Sequence, residues 1–125
     1  MIADTAFLIQ FANEGLAGRQ GPARSFLAHH RREIIRTCIV SLGEAAAGFD
    51  TSAAAWQYFK WGKIYALHRG VAEAAADVDR QWSRLGHRLG ENDNWIAGFC
   101  RFYRQPVISA DVAFDRVPGL RRITY

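Results

Sequence analysis

The sequence predicts an α/β fold built around a central, mostly parallel sheet. Short apolar or β-branched runs, such as Ile2-Ala3 and Ile34–Val40, alternate with longer segments in which apolar residues recur at helical spacing. Strands separated by helices pair in parallel, because each crossover helix returns the chain to the same end of the sheet. The 125 residues contain no linker, internal repeat or low-complexity tract, so residues 1–125 are expected to form one domain.

Each predicted element follows from its local pattern. The predicted strands are rich in apolar or β-branched residues: Ile2-Ala3, Ile34–Val40, Pro106–Ser109 and a final edge strand over Arg122–Tyr125. The predicted helices follow apolar periodicity between turns: Thr5–Asn13, Pro22–Arg32, a helix opened by Ser41–Glu44, Thr51–Leu67, Val71–Leu89 and Asn92–Tyr103.

Composition narrows the classes of protein. A net charge of +4 and a pI near 9.5 favour polyanionic partners. Cys38 and Cys100 are far apart and lack metal-ligand spacing, so they are expected to be buried free thiols. The usual motifs of acyl hydrolases, NTPases and dinucleotide enzymes are absent. No apolar stretch is long enough for a membrane span and no basic leader precedes the first apolar residues, which predicts a cytoplasmic protein without membrane contact.

Four carboxylates share one kind of position, at a strand-to-helix junction or in a first helical turn: Asp4, Glu44, Asp93 and Asp111. The carboxyl ends of parallel strands and the amino ends of the following helices meet at one edge of a sheet, where ligands bind. Magnesium takes oxygen ligands, including carboxylates. A metal-bound water at such a site can hydrolyse a phosphodiester. The pattern therefore predicts a small metal-dependent nuclease.

Each acid also has a structural explanation. Ser41 and Glu44 have the spacing of a capping box, and Asp4 could cap the helix that begins at Thr5. Asp93 could stabilise a helix start through the dipole, and Asp111 could open a turn. If the acids were only caps, changing Asp4 or Asp93 to Asn would be nearly neutral, because Asn caps about as well.

The motifs around these acids resemble those of the PIN-domain ribonucleases, most closely the short VapC-type toxins of bacterial toxin–antitoxin pairs. The resemblance covers nearly the whole chain in the family's order. Its motifs are Ala3-Asp4-Thr5 with the apolar residues Phe7-Leu8-Ile9, Glu44 after the second strand, Asn92–Ala97 preceded by Trp82-x-x-Leu85, and Val107–Asp111 with Phe114. Gly98 departs from the family's usual Ala and predicts close packing beneath the site.

The resemblance implies a three-layer α/β/α PIN-like fold and an endoribonuclease that uses Mg²⁺ or Mn²⁺. By that resemblance Asp4, Glu44, Asp93 and Asp111 are the catalytic, metal-binding acids, although Asp115 could replace Asp111 as the fourth. Thr5 or Ser109 would orient a carboxylate or a metal-bound water. The implied partners are an RNA substrate, a cognate antitoxin and a second copy of the chain. The alternative is a catalytically inactive PIN-like module that binds RNA or protein.

Two further surfaces are left with more than one interpretation. The basic stretch from Arg19 to Arg32 could hold an RNA backbone or be a solvated helix face. The aromatic segment from Trp56 to Tyr65 could belong to the core, form a groove for a protein partner or stack unpaired bases. His29 and His30 are adjacent and lack metal-ligand spacing, so exposed or capping roles are expected.

Overall fold

A computed structural model describes all residues, 1–125, and contains five short strands and six α-helices. In chain order they are β1 (Ile2–Ala3), α1 (Thr5–Leu16), α2 (Pro22–His29), β2 (Arg36–Cys38), α3 (Ile39–Ala46), α4 (Ser52–Tyr58), β3 (Lys63–Tyr65), α5 (Arg69–Ser83), α6 (Glu91–Phe102), β4 (Val107–Ile108) and β5 (Arg122–Ile123). A 3₁₀ helix over Val112–Arg116 connects the last two strands. No helix is long and apolar enough to cross a lipid bilayer.

The five strands form one sheet in the order β3-β2-β1-β4-β5, and every neighbouring pair is parallel. Strands β2 and β3 lie on one side of β1. The chain then returns to β1 and places β4 and β5 on its other side. The strand order therefore reverses between β1 and β4. In open α/β sheets, the crevice outside the carboxyl ends of the strands at such a reversal is the usual ligand-binding position.

Successive strand residues supply the two sides of the core. Ile2 and Val107 join an apolar cluster with residues of α5 and α6, whereas Ala3 and Ile108 join a second cluster with residues of α1, α2 and α3. This alternation follows from the two-residue period of a strand. Both faces of the sheet are covered, as parallel sheets require. The predicted three-layer α/β/α architecture is confirmed.

Helices α5 and α6 approach closely at one point. A Cβ atom added at Gly98 would lie 2.6 Å from Cβ of Ala75 and 2.9 Å from its Cα. Gly98 thus permits the close packing predicted for it, and this contact holds α6 against the rest of the helical layer. The predicted burial of both free cysteines is also confirmed.

The structure shifts several predicted boundaries and adds one strand. The predicted helix Val71–Leu89 ends at Ser83, and the predicted helix Pro22–Arg32 ends at His29. The second strand ends at Cys38, two residues before the predicted end, because helix α3 begins at Ile39. Ile39 and Val40 pack against the core as part of that helix. The predicted helix Thr51–Leu67 is wrong beyond Tyr58: α4 ends there, and the chain re-enters the sheet as β3. Pairing of Thr37 with Ile64 and of Cys38 with Tyr65 overrides the helical spacing of the aromatic residues.

Candidate functional site

The carboxyl edge of the sheet at the β1–β4 reversal brings together the ends of two strands and the start of two helices. Asp4 directly follows β1, and Ser109 directly follows β4. The two strands are joined there by a hydrogen bond from the Asp4 N–H to the Ile108 carbonyl, 3.1 Å. The second turn of α3 and the first turn of α6 complete this region, which we call the acidic edge and define by Asp4, Glu44, Asp93 and Asp111.

Asp4 is the most buried of the four acids, with 4% of its surface exposed. It is the N-cap of α1, and its Oδ1 accepts a hydrogen bond of 2.7 Å from the Phe7 N–H. Burial raises the pKa of Asp4 from 3.8 to about 6, although the Ser109 hydroxyl and the Phe7 N–H lower it; Asp93 and Asp111 add to the increase. The predicted capping role is therefore real, but Asp4 also carries an electrostatic penalty that a cap alone does not need.

Asp93 lies in the first turn of α6, at an end where the N-cap residue Gly90 provides no side-chain cap. Its carboxylate accepts no hydrogen bond from the protein. Burial first, then Asp111 and Glu44, raises the pKa of Asp93. Hydrogen-bonded capping does not explain this residue, and only the helix dipole remains as a structural role.

Glu44 is held by two side chains that are distant in the sequence. The Thr5 hydroxyl donates to its Oε2, and the Asn92 side-chain amide donates to its Oε1 at 2.6 Å. The capping-box alternative is wrong, because α3 begins at Ile39 and its N-cap, Cys38, provides no side-chain cap. The Ser41 hydroxyl contacts the Cys38 sulfur at 3.4 Å instead.

Asp111 and Asp115 differ in their surroundings. Asp111 opens the 3₁₀ helix, as the turn interpretation predicts: its Oδ1 accepts from the Ala113 N–H at 2.8 Å, and its own N–H donates to Ser109 Oγ at 2.9 Å. Asp115 forms a two-point ion pair with Arg122, at 2.7 and 2.9 Å, and the hydrogen bonds from Arg122 lower its pKa. Asp111 influences the pKa values of Asp4 and Asp93, whereas Asp115 influences neither.

The four predicted acids thus share one edge, but they do not converge on a point. Asp93 and Asp111 raise the pKa of Asp4, whereas Asp111 and Glu44 raise that of Asp93. As the side chains stand, no three His, Cys, Asp or Glu residues are close enough to hold a metal ion. The donor set still suits magnesium or manganese, because all of the donors are carboxylate oxygens and Mg²⁺ is often held by one or two carboxylates plus water.

Two residues were missed by sequence reasoning. Asn92 bonds Glu44, although it was noted only as part of a motif. Glu14 is buried in α1 and accepts hydrogen bonds from the N–H groups of Ala23 (3.2 Å) and Arg24 (2.9 Å), so it caps α2 from another helix. A cavity of about 760 Å³ lies beside Glu14, and none of the four acids of the acidic edge lines it. The sequence did contain a signal for the contact between Glu14 and α2. Gly21, the N-cap residue of α2, has no side chain that could cap the helix, so the cap must come from elsewhere.

The aromatic segment divides between core and surface. Phe59 and Tyr65 are buried, on opposite sides of the sheet. Trp56 and Trp61 are 44% and 39% exposed. Trp61 packs against Phe11 of α1 with a ring-centroid distance of 5.2 Å. The exposed rings leave both a partner surface and base stacking open.

The basic stretch lies on and after α2. Arg24 places its guanidinium over the Phe11 ring at 5.0 Å, and the side chains of Arg31 and Arg32 are exposed. The Nδ1 atoms of His29 and His30 contact the carbonyls of Ser25 and Phe26 at 2.7 and 2.8 Å, at the end of the helix. The capping role expected for the histidines is confirmed.

Comparison with known proteins gives a structural answer but no sequence match. No protein-family model and no curated protein matches the sequence. Solved structures do match over nearly the full length. The VapBC2 structure from Rickettsia felis, bound to a promoter DNA fragment, contains a chain with a TM-score of 0.82 at 13% identity, covering 98% of this chain and 96% of that one.

Two other solved structures agree. VapBC-1 from nontypeable Haemophilus influenzae matches with a TM-score of 0.77 at 16% identity, covering 98% of this chain and 96% of that one. A toxin–antitoxin complex from Klebsiella pneumoniae matches with a TM-score of 0.70 at 16% identity, covering 95% and 93%. At these identities the likeness establishes the fold. The chain therefore has the PIN-like α/β/α fold that its motifs predict.

Proposed function

We propose that this protein is a Mg²⁺- or Mn²⁺-dependent endoribonuclease and the toxin of a type II toxin–antitoxin pair. The observation that carries the proposal is the burial of Asp4 at the β1–β4 reversal. In addition to burial, the negative charges of Asp93 and Asp111 raise the pKa of Asp4. The groups that lower it are the Ser109 hydroxyl and the Phe7 N–H, and no lysine or arginine is among them. A buried carboxylate without a cationic partner is costly. A divalent cation at the acidic edge would remove that cost.

In this proposal Asp4, Glu44 and Asp93 bind the metal directly, and Asp111 binds it directly or through a water. The ion would lower the pKa of a bound water so that hydroxide is available near neutral pH. The protein's own contribution is positional. Thr5 and Asn92 hold the two oxygens of Glu44, and Ser109 anchors the backbone of Asp111. Such supporting hydrogen bonds commonly tune metal affinity.

The distribution of charge supports a polyanionic substrate. The chain has sixteen lysines and arginines against twelve acids, and four of those acids belong to the acidic edge. The remainder of the molecule is therefore strongly basic, which favours binding of a phosphate backbone. RNA as the substrate follows from the resemblance to PIN-domain ribonucleases.

The proposed antitoxin partner is supported by the solved structures of the same fold, which are toxin–antitoxin complexes. A surface that could receive a partner segment exists around the half-exposed rings of Trp56 and Trp61. The homodimer rests on the resemblance alone, and sedimentation of the purified chain tests it.

A second candidate is a PIN-like module that binds RNA or protein without cleaving it. The favouring observation is that no three potential ligands stand close enough to share an ion. The two candidates differ in one measurable property, which is divalent-dependent cleavage.

The first experiment is thermal unfolding of the wild type and of Asp93→Asn in chelator and during a Mn²⁺ titration. The Asp93 side chain makes no hydrogen bond to the protein, so the Asn variant is expected to fold normally. Mn²⁺ at about 100 times its Kd should stabilise the wild type by about 2.7 kcal/mol. The response should be absent or much smaller in Asp93→Asn.

The matched control is Asp79→Asn, an exposed acid of α5 outside the acidic edge. It should respond to Mn²⁺ like the wild type. Cleavage of total RNA, with and without chelator, then separates the two candidates. A wild type that binds Mn²⁺ but cleaves no RNA would support the binding module, and equal Mn²⁺ responses in all three proteins would refute the metal site.

A further inference from the structure

A second charged feature lies at the opposite edge of the sheet, where the strands begin. A cavity of about 310 Å³ opens between the end of α6 and the segment that leads into β5. Three arginines line it: Arg101, Arg104 and Arg121. None of the lining residues is acidic. We call this feature the arginine cavity.

The three arginines that line the cavity retain unused hydrogen-bond donors. Arg101 is held in place by hydrogen bonds to Gln81 Oε1 and to the Pro118 carbonyl, each 2.8 Å. A guanidinium has five N–H donors, so three of those on Arg101 remain. The side chains of Arg104 and Arg121 form no ion pair or hydrogen bond within the chain, in contrast to the paired Arg122. Three arginines therefore line one cavity, and no acidic residue lines it.

Arg104 occupies a position that normally favours glycine. It follows the C-cap of α6 with φ of 52°, and it is the only residue other than glycine with positive φ. The Gln105 N–H bonds the Cys100 carbonyl (2.9 Å) and the Arg104 N–H bonds the Arg101 carbonyl (3.2 Å), which is the Schellman arrangement. A side chain at this position raises the conformational energy of the fold. A role for the Arg104 side chain in the cavity would explain why arginine, and not glycine, occupies this position.

We propose that the arginine cavity binds a phosphate group. Guanidinium groups recognise phosphate through paired N–H donors. Three of them around one cavity favour an anion with several acceptor oxygens and more than one negative charge. A carboxylate would satisfy one arginine and leave the other two unpaired. The proposal does not depend on the metal site, because the two features lie at opposite ends of the strands.

The test is a titration with inorganic phosphate in chelator, at constant ionic strength, followed by thermal unfolding. Phosphate should raise the unfolding temperature of the wild type in a saturable way, and acetate should not. Arg121→Gln and Arg104→Gly should each weaken apparent phosphate binding by about tenfold or more, since each removes charge-assisted hydrogen bonds. A linear rise that is equal in every variant would overturn the proposal, because phosphate also stabilises proteins by exclusion from their surface.

The Arg104→Gly variant separates loss of phosphate binding from loss of stability. Glycine removes the strained conformation, so this variant should unfold at a temperature no lower than that of the wild type without phosphate. If the arginine served only the end of α6, phosphate would stabilise Arg104→Gly and the wild type equally. The matched control is Arg84→Gln, an exposed arginine at the end of α5 that does not line the cavity. It should bind phosphate like the wild type.

A second arm identifies the source of the phosphate. Binding of a short single-stranded RNA is measured in chelator by fluorescence anisotropy. If the cavity takes an RNA backbone phosphate, Arg121→Gln weakens RNA binding and inorganic phosphate competes with the RNA. If it takes a free phosphate or a phosphate ester, RNA affinity is unchanged in Arg121→Gln while phosphate stabilisation is still lost.

Discussion

The carboxyl and amino edges of the sheet are formed by the same five strands, yet they hold opposite charges in different ways. At the acidic edge, Asp4 and Asp111 cap helices and Glu44 is fixed by Thr5 and Asn92. At the amino edge, the side chains of Arg104 and Arg121 form no hydrogen bond or ion pair with the protein.

The two edges differ in the free-energy cost of placing like charges close together. Asp4 is buried and Asp93 partly buried beside the exposed acids Glu44 and Asp111, and the pKa of Asp4 rises to about 6 as a result of burial and of the charges of Asp93 and Asp111. The exposed arginines are screened by solvent and carry little such penalty. A metal bound at the acidic edge would therefore offset a cost that the fold already carries, whereas an anion at the arginine cavity would add stability without offsetting such a cost.

The largest expected effect comes from removing the buried charge of the acidic edge. Asp4→Asn should reduce RNA cleavage by more than about 100-fold, because even residues that only support a metal ligand typically cost 10- to 100-fold. The protein should remain folded, since Asn can still cap α1. Cleavage and circular dichroism check this together. A folded Asp4→Asn protein with wild-type cleavage would break the assignment of the acidic edge.

The metal-free protein should also show the penalty at Asp4 as a pH dependence. The folded-state pKa, about 6, exceeds the ordinary value of 3.8, so the folded state binds the proton more tightly. The stabilising effect of this proton is complete below about pH 4 and is lost as the pH rises through 6, by at most about 3 kcal/mol. Urea unfolding in chelator between pH 4 and pH 7 measures it.

Asp4→Asn is the control for that measurement. Its unfolding free energy should vary less with pH in the same window, and it should be more stable than the wild type near pH 7 without metal. If the two pH profiles were superimposable, Asp4 would not be the source of the dependence.

A smaller effect is expected from the support of Glu44. Asn92→Ala removes the 2.6 Å hydrogen bond to Glu44 Oε1 and should weaken Mn²⁺ binding by about tenfold to 100-fold. The unfolding temperature without metal should change little, because Asn92 is exposed. Calorimetric titration with Mn²⁺ makes the measurement. Arg121→Gln serves as the control from the opposite edge and should leave Mn²⁺ affinity unchanged.

The smallest effect should come from Asp115. Asp115→Asn breaks its ion pair with Arg122 and should lower the unfolding temperature slightly, without altering the Mn²⁺ concentration at half-saturation.

Asp111→Asn should weaken Mn²⁺ binding, because Asp111 and not Asp115 influences the pKa values of Asp4 and Asp93. The opposite ranking in a parallel titration of both variants would make Asp115 the fourth acid.

Local patterns predicted most of the fold. The strands at Ile2-Ala3 and Val107-Ile108 were placed correctly because each is an apolar run that ends at a polar or turn residue. The strand β3 was missed because Tyr65 was read together with the aromatic residues of and after α4 as one helical segment, and only pairing with β2 distinguishes the two segments. The start of α3 was misplaced because the β-branched residues Ile39 and Val40 favour a strand locally, whereas in the structure they belong to a helix.

The sequence by itself determined the α/β class, the parallel pairing and the placement of Asp4 and Asp111 just after predicted strands, since these follow from periodicity and from the rule that parallel strands share one carboxyl edge. The three-layer arrangement was implied by the resemblance of its motifs to a known family. Only the tertiary structure decided which partners those acids have. Glu44 bonds residues 39 and 48 positions away, and the arginine cavity joins the end of α6 to the start of β5. Such contacts depend on how helices pack on the sheet, and packing is set by the whole core rather than by any local stretch of residues.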